Sequence, residues 1–567
     1  MICQDQRGFR TNTPSEAFYF NSGDQKLFGW LHRPVGIARD LGLVICKPFG
    51  YEAICSHRSM RAFAEMTASI GVPTLRFDYL GTGDSAEIDP QANQLEVWTN
   101  DTVAAIDELK RVTGVERVCL LAVRLGAVVA IAAATRCRSV SGLALISPIV
   151  KGARYLREIR ITALAASLNT GGKRSSERKD NGDQAASARS IEVSGYPLSA
   201  ATMSALTQVD LTRVDLTRSG ASAPEMLIID GNSMPLAQSW AAGLSAAKAR
   251  VRYMALPGLV EMVMAMPHDA RPAQEMLVAV RDWLQVVSSP IQRTDPYRLS
   301  AALPQATALQ LPGDEPATEA RISERPVFVV SDPKVFGILS TPRQDETRRG
   351  AVILVNGGAT YHAGPNRVHV SLARHWARSG YLVIRMDLSG LGDSVTRLGR
   401  PDNEMYPPAA LDDIRSAIDF VRSGYGIDKV ALCGFCSGAY HMLRAAAAQL
   451  PVNCLLMVNA EQFFWEEVTQ IDELQPVEVV KRARGHREKI FSIAAWKRLL
   501  TGQINVWRML RIYIRRPLIA MESELRDLAR RLHVRLPHDL GWELQDIAAR
   551  GTRLVFVFAR ERPVSTC

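Results

Sequence analysis

Residues 434–439, GFCSGA, place Cys436 between Gly434 and Gly438 directly after the apolar run KVALC. A reactive residue flanked by two glycines at a strand-to-helix turn matches the nucleophile elbow GxSxG, here with sulfur replacing the serine oxygen. Glycines are needed because the turn is strained and packs against neighbouring strands. At a helix amino terminus the dipole favours the thiolate, the form of cysteine that attacks a carbonyl carbon and holds the acyl group as a thioester. Such chemistry needs backbone N–H groups facing the developing oxyanion. Gly357, Gly358 and Ala359 follow Asn356 after the run AVILV, where a donor loop belongs, and the amide of Ser437 would be the second donor. His362, in the next turn of that loop, reads as a surface residue rather than a base. Cys433 and Cys436 also spell CxxC, but the flanking glycines are explained by the elbow and not by a redox pair. A small buried cysteine in a turn remains the alternative.

The elements that would position these residues occur twice. TLRFDYLGTGDS at 74–85 repeats as VIRMDLSGLGDS at 383–394, and 385 minus 76 gives an offset of 309 that also pairs Arg58 with Arg367 and Gly71 with Gly380. ERVCLLAVRLGA at 116–127 repeats as DKVALCGFCSGA at 428–439, at an offset of 312. Each copy alternates short apolar runs with amphipathic segments, which predicts an α/β fold: a mostly parallel sheet with helices on both faces. We expect two tandem domains, 15–288 and 326–567, joined by a Pro-rich linker over 289–325, each with an inserted helical cap.

The copies differ where chemistry is required. Cys436 minus 312 is Arg124, which stays protonated and cannot be a nucleophile, but at a helix amino terminus it can bind a carboxylate or phosphate. An arginine that caps a polar neighbour is the equal alternative. The first copy does offer an acid, Asp230, and a histidine, His268, in the chain order of a triad. In the second copy Glu561 is the candidate acid, and the sequence ends at Cys567 before a histidine, a final strand and a final helix, so that copy reads as incomplete at its carboxyl end.

Composition narrows the class. The chain has 567 residues, 47% hydrophobic and 22% charged, as an ordinary globular protein has, and no run approaches the ~20 apolar residues of a membrane span. Nine cysteines without a regular framework read as free thiols of a cytoplasmic protein. The net charge of +10 gathers near KRARGHREK, WKRLL and VWRMLRIYIRR. It reads as a solvated face, with contact between residues 481–516 and the inner membrane as the alternative. No zinc-finger spacing or RNA-binding signature accompanies it, which argues against nucleic acid, and no motif calls for a metal or cofactor. The oligomeric state is open.

These motifs carry a resemblance. Both halves resemble the α/β-hydrolase superfamily, in its serine-aminopeptidase-like (S33) branch, with RFDxxGxGDS as the most specific shared element. The first half, with PFGYEAICSHR, VRLGA and SPIVKGARYLREIR, is similar to hydrolases associated with exosortase A and exopolysaccharide gene clusters. The second, with GPNR and GFCSGA, is similar to the partner domain of such tandem proteins. The resemblance implies hydrolysis of, or acyl transfer from, an ester, thioester or acylated glycan or lipid. A non-catalytic protein that binds an anionic ligand or a protein partner is the competing expectation.

Overall fold

The computed structural model describes residues 13–169, 191–193, 195–215, 223–231, 235–291, 309–311, 322–331, 333–342, 348–460, 462–464 and 536–558, with positions 529, 532 and 534. Glu561 and residues 481–516 lie outside the described residues. Two eight-stranded sheets follow one another along the chain.

The first sheet contains β1 (Ser15–Ser22), β2 (Gln25–His32), β3 (Leu41–Cys46), β4 (Thr74–Phe77), β5 (Arg117–Val123) and β6 (Val140–Ile146). After a small hairpin, β7 (Ile191–Val193) and β8 (Tyr196–Leu198), come β9 (Glu225–Asp230) and β10 (Val251–Ala255). The spatial order is β1-β2-β4-β3-β5-β6-β9-β10. The hairpin β1–β2 is antiparallel and the strands from β4 onward are parallel. The runs LGLVIC and RVCLLAV are buried almost throughout, as strands covered on both faces must be.

The second sheet is built from β11 (Leu309–Leu311), β12 (Ile322–Ser331), β13 (Lys334–Thr341), β14 (Gly350–Val355), β15 (Tyr381–Met386), β16 (Val430–Phe435), β17 (Cys454–Val458) and β18 (Arg553–Val557). Its order, β11-β12-β13-β15-β14-β16-β17-β18, repeats that of the first sheet from β12 onward. The register repeats too: Trp30 sits opposite Arg76 across β2 and β4, and Ile338 opposite Arg385 across β13 and β15. The tandem α/β architecture expected from the repeat is therefore present. Leu309–Leu311, within the stretch read as a linker, adds a short edge strand to the second sheet.

The two sheets share apolar packing. Phe28 of β2 meets its repeat counterpart Phe336 of β13, with ring centroids 6.4 Å apart, and Trp30 lies 4.7 Å from the same ring. Among the described residues no helix is long and apolar enough to cross a membrane.

Candidate active site

Cys436 follows β16 and caps the helix Ser437–Ala447 with φ 51° and ψ −114°, a backbone conformation strained for any residue but glycine. Its thiol is exposed, while Cys433 is buried on β16 and burial pushes its thiol up to about 12. The two cysteines of CxxC thus occupy different environments, one at the turn and one in the core. The strain is held by neighbours that interlock. The Cys436 N–H donates to Val458 O at 3.0 Å. A Cβ on Gly434 would lie 2.6 Å from the Gly438 carbonyl carbon, one on Gly438 would lie 2.8 Å from Val355 O, and one on Gly357 would lie 2.1 Å from Phe435 O. All three positions therefore require glycine for close approach, not for a positive φ.

The donor loop stands beside this turn. Gly358 has φ 61° and Ala359 has φ 57°, and the Gly358 N–H donates to Ser437 Oγ at 2.8 Å. That bond places the expected oxyanion donor next to the residue that follows Cys436. Asn356 braces the loop from below: its amide donates to Thr360 O at 2.9 Å, and its oxygen accepts the Leu388 N–H at 3.2 Å. His441, one turn into the elbow helix, has Nε2 3.2 Å from Met405 O, and burial holds its ring down to about 4.

The first half has the same turn with different side chains. Arg124 has φ 53°, and its N–H donates to Ile146 O at 3.0 Å, as Cys436 does to Val458. Gly126 approaches so closely that a Cβ there would lie 2.3 Å from Cys46 O. The guanidinium does not stand open: Nε donates to Glu52 at 3.0 Å, NH2 donates to Glu158 at 2.8 Å, and the group lies over the Tyr155 ring at 5.6 Å. Glu158 belongs to the helix Gly152–Asn169, so the arginine ties the elbow to the inserted segment above it. Burial raises the Glu52 carboxyl above its ordinary value, even though Arg124 opposes the shift.

Asp230 ends β9 in the cleft that also holds Arg124, and Tyr253 OH donates to it at 3.3 Å. His268, the expected third member, has its Nε2 3.3 Å from Asp269. Its loop is taken up in contact with the second half, where Asn403 donates to Pro267 O at 2.7 Å and to His268 O at 3.1 Å. The loop that carries His268 therefore forms part of the contact between the halves.

The repeated motif RxDxxGxGDS proves to be that interface. Within each copy the first aspartate ties the loop: Asp78 accepts the Asp84 N–H at 3.0 Å, and Asp387 accepts the Asp393 N–H at 2.9 Å. The motif serine joins the loop to the hairpin, with Ser85 accepting the Phe28 N–H and Ser394 the Phe336 N–H, both at 2.9 Å. The second aspartates cross between the halves. Arg76 donates to Asp393 at 2.7 Å, and Arg385 donates reciprocally to Asp84. His362, expected at the surface, is instead 1% exposed, with Nδ1 2.8 Å from Asp387 and Nε2 2.6 Å from Asp84. Burial disfavours its charged form, but Asp84 and Asp387 outweigh this and hold the imidazolium well above its ordinary pKa. Tyr361 stacks on His57 at 4.2 Å.

Ligand atoms of His362, Asp387 and Asp393 lie within 4.8 Å of one another, the spacing of a metal site. The guanidinium of Arg76 and the imidazolium of His362 already neutralise those carboxylates, so the residues present fit an ion-pair network better than a cation. Sequence reasoning missed these cross-pairings. The signal was there in the motif's presence in both halves, because a surface that pairs with a copy of itself must appear in both.

Comparison with known proteins agrees with the architecture. Residues 350–501 match the family model described as alpha/beta hydrolase fold, and residues 55–192 match that of serine aminopeptidase, S33. No curated protein matches the chain. Among solved structures, ferulic acid-bound Est1E from Butyrivibrio proteoclasticus is 18% identical over 47% of this chain and 98% of its own, with a TM-score of 0.33. A proline iminopeptidase-related protein from Thermus thermophilus is 18% identical over 48% of this chain and 98% of its own, at 0.31. A hypothetical protein from Pseudomonas aeruginosa is 17% identical over 50% and 98%, at 0.33. With a match in each half and the same strand order in both sheets, the chain is a protein of the α/β-hydrolase superfamily that carries two such regions.

Proposed function

We propose that this chain hydrolyses, or transfers the acyl group of, an ester or thioester through Cys436, and that the first region is its non-catalytic partner. The fold supports a hydrolytic function in general terms. The observation that carries the specific proposal is the strained backbone of Cys436, kept by three interlocking glycines and set beside the Gly358 donor. Backbone strain of this kind clusters at active sites and ligand clamps, and where the same turn in the first region carries a paired arginine, here it carries an exposed thiol. In the proposed reaction the Cys436 thiol gives its proton to solvent water, the thiolate forms the Sγ–C bond as the ester C–O (or thioester C–S) bond breaks, and the leaving alkoxide or thiolate takes a proton back from solvent. Gly358 N–H turns from Ser437 Oγ to the oxyanion, joined by the Ser437 amide. Water or an acceptor hydroxyl then releases the acyl group. An acylated glycan of surface polysaccharide metabolism is the substrate class that the sequence resemblance suggests.

The first region contributes no nucleophile at Arg124. An anionic ligand there would have to displace Glu158, whose side chain is 50% exposed, from the guanidinium. The test is intact-mass analysis after exposure to p-nitrophenyl esters of short and long chains. Wild type should gain one acyl adduct that peptide mapping places on Cys436, and Cys436→Ala should gain none. An adduct that survives in Cys436→Ala, or ester turnover unchanged by that substitution, overturns the proposal.

A further inference from the structure

We infer that the first region sets the oxyanion donor of the second, with Asp84 as the positioning residue and His362 as the lever. This rests on the assignment of Gly358 as the donor for acylation of Cys436.

The donor loop has two anchors. One is β14, which ends at Val355, and the other is His362, four residues beyond Gly358. Between them the chain is a tight turn: Thr360 donates its N–H at 3.1 Å and its hydroxyl at 2.7 Å to Gly357 O. Asn356 clasps the same turn through Thr360 O at 2.9 Å and touches Asp387 Oδ1 at 3.3 Å. A displacement at His362 is therefore carried to Gly358 through a short segment braced by these bonds.

Half of the His362 anchor comes from the other region. Asp387, from its own region, holds Nδ1, while Asp84 holds Nε2 at 2.6 Å, and all three side chains are at most 1% exposed. Arg385 fixes the second oxygen of Asp84. The preceding residue, Tyr361, stacks on His57, also from the first region. The first region thus grips two consecutive residues of the donor loop. Misplacing a catalytic group by about 1 Å can cost about 10²-fold in rate, and removing one oxyanion donor costs about 10²–10³-fold. This explains mechanically why a region without a nucleophile is kept joined to one that has it.

The experiment uses the full chain and the variant Asp84→Asn, with Asn403→Ala as an interface control away from the loop. Hydrogen–deuterium exchange of peptides covering 355–364 should speed up at least tenfold in Asp84→Asn and stay unchanged in Asn403→Ala. Cys436 is also treated with p-nitrophenyl acetate and, separately, with iodoacetamide. Acylation passes through an oxyanion as the Sγ–C bond forms and p-nitrophenolate leaves. Alkylation displaces iodide without one. The ratio of the two rates should fall at least tenfold in Asp84→Asn.

Equal slowing of both reactions, or unchanged exchange in 355–364, overturns the inference. If wild-type Cys436 is alkylated but not acylated, the acyl-enzyme proposal fails, and the exchange result alone then decides whether Asp84 holds the loop. Should Asp84→Asn fail to fold, His57→Ala removes the Tyr361 stack together with the 3.3 Å contact of His57 Nε2 to Asp393, and leaves Asp84 in place. It should shift both readouts in the same direction by a smaller factor, and no shift in either would overturn the inference.

Discussion

Replacing Arg385 with methionine should destabilise the chain by about 3 kcal/mol. The guanidinium is fully buried and bonds Asp84 on one arm and Glu324, at 3.0 Å, on the other. Linked to it by ion pairs, and by the backbone bonds of Asp84 to Asp78 and of Asp393 to Asp387, are the carboxylates Asp78, Asp84, Glu87, Glu324, Asp387 and Asp393, and with Arg385 itself the cations are Lys47, Arg76, Arg367, Arg374, Arg385 and the His362 imidazolium. The charges balance at six against six, which is how so many ionised groups can share a largely buried interface. Methionine retains much of the length but leaves one carboxylate uncompensated. Breaking a buried pair typically costs about 3–5 kcal/mol. The lower end applies because Asp84 keeps His362 and Glu324 keeps Arg374. Equilibrium urea unfolding followed by tryptophan fluorescence reads the change, since Trp30 sits at the interface. Adding Asp84→Asn removes one negative charge and should recover at least about 1 kcal/mol of the loss, a coupling within the usual range for neighbours. An Arg385→Met chain within about 0.5 kcal/mol of wild type, the range of an ordinary surface change, would refute the balanced-network argument. A double variant no more stable than the single one would do the same.

The same network predicts a pH profile. His362 has its pKa raised on folding, so its contribution is fully present below its unfolded value of about 6.5 and is lost as pH rises through the folded value. Asp84 and Asp393 are lowered, so theirs is present above about 3.8 and is lost as pH falls toward the folded values. Thermal unfolding should show a plateau between these limits and an alkaline limb with a slope of up to about 1.4 kcal/mol per pH unit. His362→Gln should flatten that limb, and an identical limb in both proteins would sink the assignment. Thiol labelling of the native chain with iodoacetamide should reach the exposed Cys436 well before Cys433, Cys46 and Cys119, which are buried and whose thiols are pushed up to about 12. Comparable rates at Cys433 and Cys436 by peptide mapping would contradict the elbow geometry.

Much of the fold was legible because parallel sheets leave a strong trace. Runs such as LGLVIC, RVCLLAV and AVILV are apolar throughout, since helices cover both of their faces. The hairpins β1–β2 and β12–β13 left a weaker one, because SEAFYFNS and KVFGILST mix polar and apolar side chains as half-covered antiparallel strands do. The elbow at Cys436 was legible for a local reason: its turn needs glycine at 434 and 438, and those positions lie within a few residues of the cysteine.

What the sequence by itself determined is therefore the duplication, the apolar runs that become parallel strands, the turn at Cys436 and the arginine that stands at 124 in place of a nucleophile. These follow from residue type and short-range spacing. Only the tertiary structure decided where charges meet. Arg76 finds Asp393, 317 positions away, and Arg385 finds Asp84, 301 positions away. His362 leaves the surface for a place between two carboxylates, and the loop of His268 meets Asn403 of the second half. Motif residues Asp84 and Asp393 look alike whether they serve a catalytic site or a contact between halves. The choice depends on which surfaces come together, and that is set by packing across the whole chain rather than by any local pattern.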